Sequence, residues 1–284
     1  MIITLHEASD TYRIVSRGNE LWFESIGPWV DSHAKLMKSR KIHNLRISYV
    51  NGCRYEDTSF LQEMRHLRGL DIAQTEAIDL GGVSAARQLE QLRLHIYGRA
   101  QIDLSLFPGL RKLDAMWSGR YYRLEDCLQL QSLCILSPNV KVHGSIARLL
   151  HLKELSLFGS GRSDLQYLPA STESLRLTRC AKLNDIMGLS SLSKLSELWV
   201  QESRSFESLE VLAHCVALKS IVLEGIKCIR SVDPLLSLPC LSYLQLDTQE
   251  PLSSTDVRKL ENSTIGQVVV SRKNRLVFER NTST

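Results

Sequence analysis

Large apolar side chains occupy alternate positions of several short strand-like segments, and with nearby arginines they carry the most distinctive binding chemistry of this sequence. Met116, Leu136, Phe158 and Trp199 each directly follow an aliphatic residue. Because neighbouring side chains of a strand point to opposite faces, we expect these four groups opposite the core. Exposed apolar groups beside arginines are typical of protein-binding surfaces. The predicted partner-binding face consists of Arg93, Met116, Trp117, Leu136, Phe158, Arg176, Arg179, Trp199, Gln201, Glu224 and Asp247.

This prediction depends on the strand register. A slip of one residue would return the same groups to the core. The aliphatic residues beside them already fill the inward positions, which favours the exposed interpretation. The acidic residues near the C-terminal end of the face are compatible with a basic partner and equally with an ordinary solvated surface.

A possible basic edge is a second candidate site. Arg99, Arg120 and Arg162 recur at one position of three repeated segments, and Arg204 lies close to that position. Guanidinium groups in a row can bind carboxylates or phosphates. The edge therefore supports a nucleic-acid partner as an alternative that we favour less, because chance placement explains it as well.

Catalytic and metal-binding motifs are absent from the sequence. It contains no HExxH, GxSxG, P-loop or GxGxxG pattern, and its eight histidines and seven cysteines have no zinc spacing. Cys127 and Cys134, seven residues apart, fit small buried core positions better than a redox or metal role, and Cys215 lies in an apolar ladder position. We expect no catalytic residue, no metal and no cofactor.

A repeated frame positions all these residues. It reads Leu-x-x-Leu-x-Leu, as in Leu152–Leu157 and, with valine last, Leu195–Val200. Its middle apolar residue recurs about every 22 residues. The eleven marks are Leu45, Leu70, Leu92, Leu113, Leu133, Leu155, Leu175, Leu198, Ile221, Leu244 and Val268.

A single strand of this kind cannot bury its own leucines, so parallel stacking of the repeats is required to form a common core. Between the later strands, apolar residues recur at every third position, as at Leu183, Ile186, Leu189 and Leu192. A period of three favours 3₁₀ turns and very short helices. In the early repeats fewer apolar residues recur at every third position. We therefore expect the segments between the early strands to be packed more loosely.

The frame resembles the leucine-rich repeat family, in its short, bacterial, internalin-like class, over roughly residues 42 to 270. At the turn position where that family prefers Asn or Cys, only Cys180 matches. The resemblance implies an α/β solenoid with about eleven parallel strands and a thin convex side of 3₁₀ turns and short helices. It also implies a concave binding face.

Both ends of the chain differ from the repeat and are predicted to be caps. Residues 1–41 contain two β-prone runs and a short helix, with Trp22 and Trp29 as packing residues. The solenoid is predicted over 42–264, and a last strand with a C-terminal hairpin over 265–284. The three parts are expected to form one folding unit.

Bulk properties favour a soluble cytoplasmic protein. The first residues lack the basic and apolar regions of a secretory signal, and no apolar run approaches the length of about 20 residues that a membrane helix needs. An odd number of cysteines fits free thiols in a reducing compartment. The net charge of +4 is too small to indicate nucleic acid by itself.

These observations predict a non-catalytic module that binds a protein partner on its concave face and is a monomer when unbound. An immunity or inhibitor protein directed at a toxin or effector, or an adaptor, is the sharper hypothesis. The recognition subunit of an enzyme complex is a further alternative. No membrane association is expected.

Overall fold

The computed structural model describes residues 3–76, 78–97, 101–117, 121–138, 140–203, 206 and 208–281. The chain forms two compact units, Met1–Leu133 and Cys134–Thr284. Strands dominate both units.

The first unit begins with an antiparallel meander and continues with parallel strands. β1 pairs with β2 and β2 with β3 in antiparallel fashion, whereas β3 to β6 and β8 pair in parallel. A separate two-stranded sheet joins β7 to β9. The strands are β1 (Ile3–Ala8), β2 (Tyr12–Arg17), β3 (Glu20–Ser25), β4 (Asn44–Ser48), β5 (Gly69–Gln74), β6 (Gln91–Ile96), β7 (Ile102–Asp103), β8 (Lys112–Met116) and β9 (Tyr121–Tyr122).

The second unit is built from parallel strands and ends in an antiparallel hairpin. β11 to β16 pair in parallel, and β17 turns back along β16. β10 begins in the last residues of the first unit. The strands are β10 (Ser132–Leu136), β11 (Glu154–Phe158), β12 (Ser174–Thr178), β13 (Glu197–Gln201), β14 (Ser220–Ile226), β15 (Tyr243–Thr248), β16 (Gln267–Arg272) and β17 (Arg275–Asn281).

The eleven strands predicted from the repeated frame are all present, as β4 to β6, β8 and β10 to β16. Equivalent leucines face each other across neighbouring strands, as Leu155, Leu175 and Leu198 do, and all three are buried. Burial of each such side chain stabilises the fold by about 1.5–3 kcal/mol. The period-two pattern therefore defines the core, and the leucine-rich repeat architecture is confirmed.

Short helical segments return the chain between the strands, as predicted. The α-helices are α1 (Asp31–Ser39), α2 (Val140–Ile146), α3 (Asp233–Leu236) and α4 (Ser254–Glu261). The 3₁₀ turns are Tyr49–Asn51, Ser59–Glu63, Gly81–Ala85, Leu104–Leu106, Leu124–Asp126, Met187–Ser191 and Glu210–His214.

Backbone hydrogen bonds explain the apolar ladder of period three. The N–H groups of Leu189 and Leu192 donate to the carbonyls three residues earlier, each at 3.0 Å. The expectation that the early repeats are looser is wrong. Phe107 and Leu110 make the same bonds at 3.1 and 3.0 Å, because Phe107 there takes the place of an aliphatic ladder residue.

Both ends of the chain are built largely as predicted. Trp22 is buried in β3, and Trp29 stacks on Phe60 with ring centroids 4.8 Å apart. Lys273 and Asn274, both with positive φ, form the two-residue turn between β16 and β17, which matches the twist of a hairpin. The boundaries 1–41, 42–264 and 265–284 stay a prediction.

Candidate functional site

The strand register of the second unit places the outward side chains in two neighbouring rows. Arg176 of β12 lies opposite Ser156 of β11 and Trp199 of β13. In the next row, Thr178 lies between Phe158 and Gln201. Cross-strand neighbours in a sheet are close enough for their side chains to touch. The rows therefore bring four predicted binding residues together on one face.

A groove of about 300 Å³ opens on this face and is called the sheet-face groove below. Its volume is at the lower end of the range of about 300–1,000 Å³ that is usual for ligand sites. Phe158 is 37% exposed, and Leu136 and Trp199 are half-buried. The residues that define the groove are Cys134, Leu136, Phe158, Arg176, Trp199 and Gln201.

Arg176 is the cation at the centre of the groove. Its Cζ lies 4.2 Å from the centroid of the Trp199 ring, well inside the distance of about 6 Å for a cation–π contact. Within the described part of the chain, no carboxylate pairs with Arg176, and the buried indole N–H of Trp199 has no hydrogen-bond partner. Stacking thus fixes the guanidinium while leaving its N–H donors available.

Arg179 and Glu202 extend the site at the ends of two neighbouring strands. Arg179 Nε donates to Glu202 Oε2 at 2.6 Å, and its Cζ lies 5.4 Å from the ring centroid of Phe158. Both residues have positive φ, 54° and 52°. Such a conformation costs a residue with a Cβ about 1–3 kcal/mol and is often associated with functional sites.

The corresponding row of the first unit has a different chemistry. Glu24, Arg46, Asp71, Arg93 and Asp114 alternate in sign across neighbouring strands. Arg93 Nε lies 3.1 Å from Asp114 Oδ2, and its Nη1 lies 3.9 Å from Asp71 Oδ2. The predicted binding residue Arg93 therefore already has acidic partners within the sheet.

Around Asp71 this row is largely buried. The Asp71 side chain is 4% exposed, and Arg17 Nη1 donates to its Oδ2 at 3.3 Å. Arg46 Nε lies 3.5 Å from the same oxygen. The carboxylate thus lies between guanidinium groups and, together with Glu24, reduces their mutual repulsion.

Two of the predicted binding residues are buried, which corrects their placement. Trp117 is 9% exposed and packs against Tyr121, with ring centroids 5.5 Å apart. Asp247 is 7% exposed and accepts the backbone N–H groups of Gly225 and Asn274. Asp247 keeps its outward register opposite Ser271, and the two-residue turn between β16 and β17 covers it through the Asn274 N–H.

Met116 and Glu224 are half-buried. Glu224 Oε1 accepts a hydrogen bond from Gln245 Nε2 at 2.8 Å. Glu224 is therefore held by a neighbour on the adjacent strand, and Asp247, the other acidic residue of the predicted face, is buried.

The structure describes one of the four arginines of the predicted basic edge. Arg99, Arg120 and Arg204 lie outside the described residues. Arg162 Nη2 donates to Asp164 Oδ2 at 2.7 Å, and this hydrogen bond lowers the pKa of the Asp164 carboxyl. The Arg162 charge thus has an acidic partner next to it.

A cationic groove in the first unit was missed by sequence reasoning. It lies between α1 and the segment after the 3₁₀ turn Ser59–Glu63, and its volume is about 740 Å³. Lys35, Lys38 and Lys41 follow one another at intervals of three residues, which would have indicated a basic face at the end of α1.

Several observations concern catalysis, metals and membranes. Cys127 and Cys215 are buried as predicted, whereas Cys134 is half-buried. Burial raises the thiol pKa of Cys127 to about 12 and that of Cys215 to about 11. In the ranges that the structure describes, no group of three or more His, Cys, Asp or Glu could hold a metal ion. No helix there is long and apolar enough for a membrane crossing.

Comparisons with solved structures identify the fold. An internalin of Listeria monocytogenes has a TM-score of 0.52 at 15% identity, over 89% of this chain and 87% of that chain. A leucine-rich repeat protein of Leptospira interrogans has a TM-score of 0.54 at 16% identity, over 83% and 67%. No family profile and no curated protein sequence matches the chain.

A plant peptide hormone receptor in complex with RGF2 is a third structural neighbour. Its TM-score is 0.50 at 14% identity, over 90% of this chain and 44% of that receptor, so the chain spans less than half of its length. The three neighbours and the stacked strands define the chain as a protein of leucine-rich repeat fold.

Proposed function

We propose that the chain is a non-catalytic recognition module that binds a protein partner through the sheet-face groove. The observation that carries this proposal is Arg176, a guanidinium stacked on Trp199 with no acidic partner among the described residues. Tryptophan and arginine are the residues most often found at the energetic centre of protein interfaces.

The chemistry of the groove indicates which partner segment fits. A carboxylate of the partner would pair with Arg176, since the guanidinium keeps its N–H donors free for a charge-assisted contact. Leu136 and Phe158 would accept an apolar side chain of the same segment. The expected determinant is thus an acidic residue next to a large apolar one.

Structural neighbours add a general argument. One of them is a peptide hormone receptor solved in complex with RGF2, so the same fold presents a binding surface in that protein. A parallel sheet with hydrogen-bonded strands is rigid, and binding to a rigid surface loses little conformational entropy. The fold therefore suits a stable and specific complex.

The finer role that we propose is that of an immunity-type inhibitor of a toxin or effector, or an adaptor. It would act in the cytoplasm and be monomeric when free. In this role the groove would hold an acidic-apolar segment of the partner and block its action.

Affinity capture with the intact chain from its native cell tests the proposal. We expect a stoichiometric protein partner. We expect Phe158→Ala and Trp199→Ala each to weaken its binding about tenfold or more, because these are the aromatic groups of the groove. Titration calorimetry with the purified partner would measure the change.

Met187→Ala is the matched control. Met187 is 57% exposed on a 3₁₀ turn, so its truncation removes a similar apolar group outside the groove. Equal weakening by Met187→Ala and Phe158→Ala would contradict the proposal, and so would the absence of any stoichiometric partner. Thermal unfolding of each variant would separate loss of binding from loss of fold.

A further inference from the structure

The cationic groove of the first unit has the dimensions of a ligand site. Its volume of about 740 Å³ lies within the usual range of about 300–1,000 Å³. α1 contributes Lys35 and Lys38, and Lys41 and His43 follow the helix. Arg65 and His66 line the opposite side. None of these residues belongs to the sheet-face groove.

Positive charge in this groove is poorly compensated. Lys35, Lys38, Lys41 and Arg65 are exposed, and among the described residues that line the groove Glu63 is the one carboxylate. None of the four cations has an acidic partner within ion-pair distance in the described part of the chain. Cations that line one groove repel one another, so a bound anion would relieve an unfavourable interaction.

Lys41 is held in an unusual backbone conformation. Its φ is 55°, and it follows α1 at a helix end where glycine is usual. The Ile42 N–H donates to the Met37 carbonyl at 2.8 Å, which fixes this turn. A left-handed conformation costs a residue with a Cβ about 1–2 kcal/mol. A cation is thus kept at the rim of the groove where glycine would be more stable.

His66 adds an unsatisfied polar group. Its Nε2 is buried and has no hydrogen-bond partner among the described residues, while its backbone carbonyl contacts His43 Nδ1 at 3.2 Å. Burial lowers the pKa of His66, and the charges of His43 and Lys38 lower it further. A nearby anion would favour the charged imidazolium and raise that pKa.

We propose that this cationic groove binds a compact ligand with several phosphate groups. Four unpaired cations at one site suit a multivalent anion better than a single carboxylate, since each phosphate carries more charge and more acceptor oxygens. The site belongs to the first unit and adds a second ligand class to the protein-binding role.

The local charge pattern favours a compact ligand over a nucleic-acid strand. Arg40 and Arg68 lie next to the groove in sequence, but they pair with Glu7 at 3.3 Å and with Glu90 at 3.5 Å. Two cations that adjoin the groove in sequence thus have acidic partners, whereas a nucleic-acid backbone needs a longer basic track.

Titration calorimetry of the intact chain with inorganic tripolyphosphate tests this inference. We expect saturable binding of one equivalent, tighter than that of inorganic phosphate. The double variant Lys38→Gln/Arg65→Gln should weaken binding about tenfold or more, because it removes two exposed cations of the site. Lys194→Gln/Lys227→Gln is the matched control: it removes two exposed cations of the second unit, and binding should stay within about twofold of the parent chain.

Nuclear magnetic resonance titration of the histidines gives an independent readout. Tripolyphosphate should raise the pKa of His66, which faces His43, Lys35, Lys38, Lys41, Arg65 and Glu63 around the groove. The inference is wrong if binding does not saturate, or if the control pair weakens binding as much as the groove pair. It is also wrong if a short RNA binds with higher affinity and competes for the same site.

Discussion

The outward row of the sheet has the same geometry in the two units but serves two different purposes. In the first unit, Asp71 and its arginine neighbours alternate in sign, so the charges neutralise one another inside the sheet. In the second unit, Arg176 stands between Ser156 and Trp199 and has an aromatic ring as its only ionic or aromatic contact among the described residues. The sign and type of the neighbour on the adjacent strand therefore decide whether an outward arginine stabilises the fold or is free to bind.

The largest predicted effect is a loss of fold stability when Asp71 is replaced. Asp71→Asn should lower the free energy of unfolding by about 3 kcal/mol, because the half-buried guanidinium groups of Arg17 and Arg46 lose a shared buried carboxylate. Denaturant unfolding followed by circular dichroism would measure this. A change of under about 0.5 kcal/mol would show that the charged row does not stabilise the first unit.

Arg176 should show the opposite behaviour. Arg176→Ala is expected to weaken partner binding by about 2 kcal/mol, roughly 30-fold in Kd, with little change in stability. Arg93→Ala is the matched control in the equivalent row, where Asp71 and Asp114 already occupy the guanidinium. It should leave partner affinity nearly unchanged. If both variants weakened binding equally, the distinction between the two rows would be lost.

The smallest effect concerns the pair of Arg179 and Glu202. Glu202→Gln should lower the free energy of unfolding by less than about 1 kcal/mol, because both side chains are at least half exposed and water screens them. Thermal unfolding of the Glu202→Gln and Asp71→Asn variants, measured under the same conditions, would compare an exposed ion pair with a buried cluster of charges. Similar losses for both variants would contradict the argument from burial.

Much of the fold and part of the site could be predicted from the sequence. The alternation around Leu155, Leu175 and Leu198 fixes the register because one face must be buried, and register in turn identifies the outward neighbours of Arg176. Trp117 was misplaced because the alternation that buries Leu113 and Ala115 continues one residue past the end of β8 and buries Trp117 as well. Asp247 was misplaced because backbone N–H groups of Gly225 and of Asn274, in the turn after β16, close over its carboxylate.

The sequence by itself determined the repeat, the eleven strands and the rows of outward residues, since a period of two is a local property of each strand. Only the tertiary structure decided which charges have a neighbour of opposite sign and which remain available for binding. Lys38 and Arg65 meet in one groove although they are far apart in sequence, because α1 and the 3₁₀ turn Ser59–Glu63 flank the same cavity. Electrostatic pairing depends on distance in space, and local patterns do not encode that distance where the chain leaves the strands.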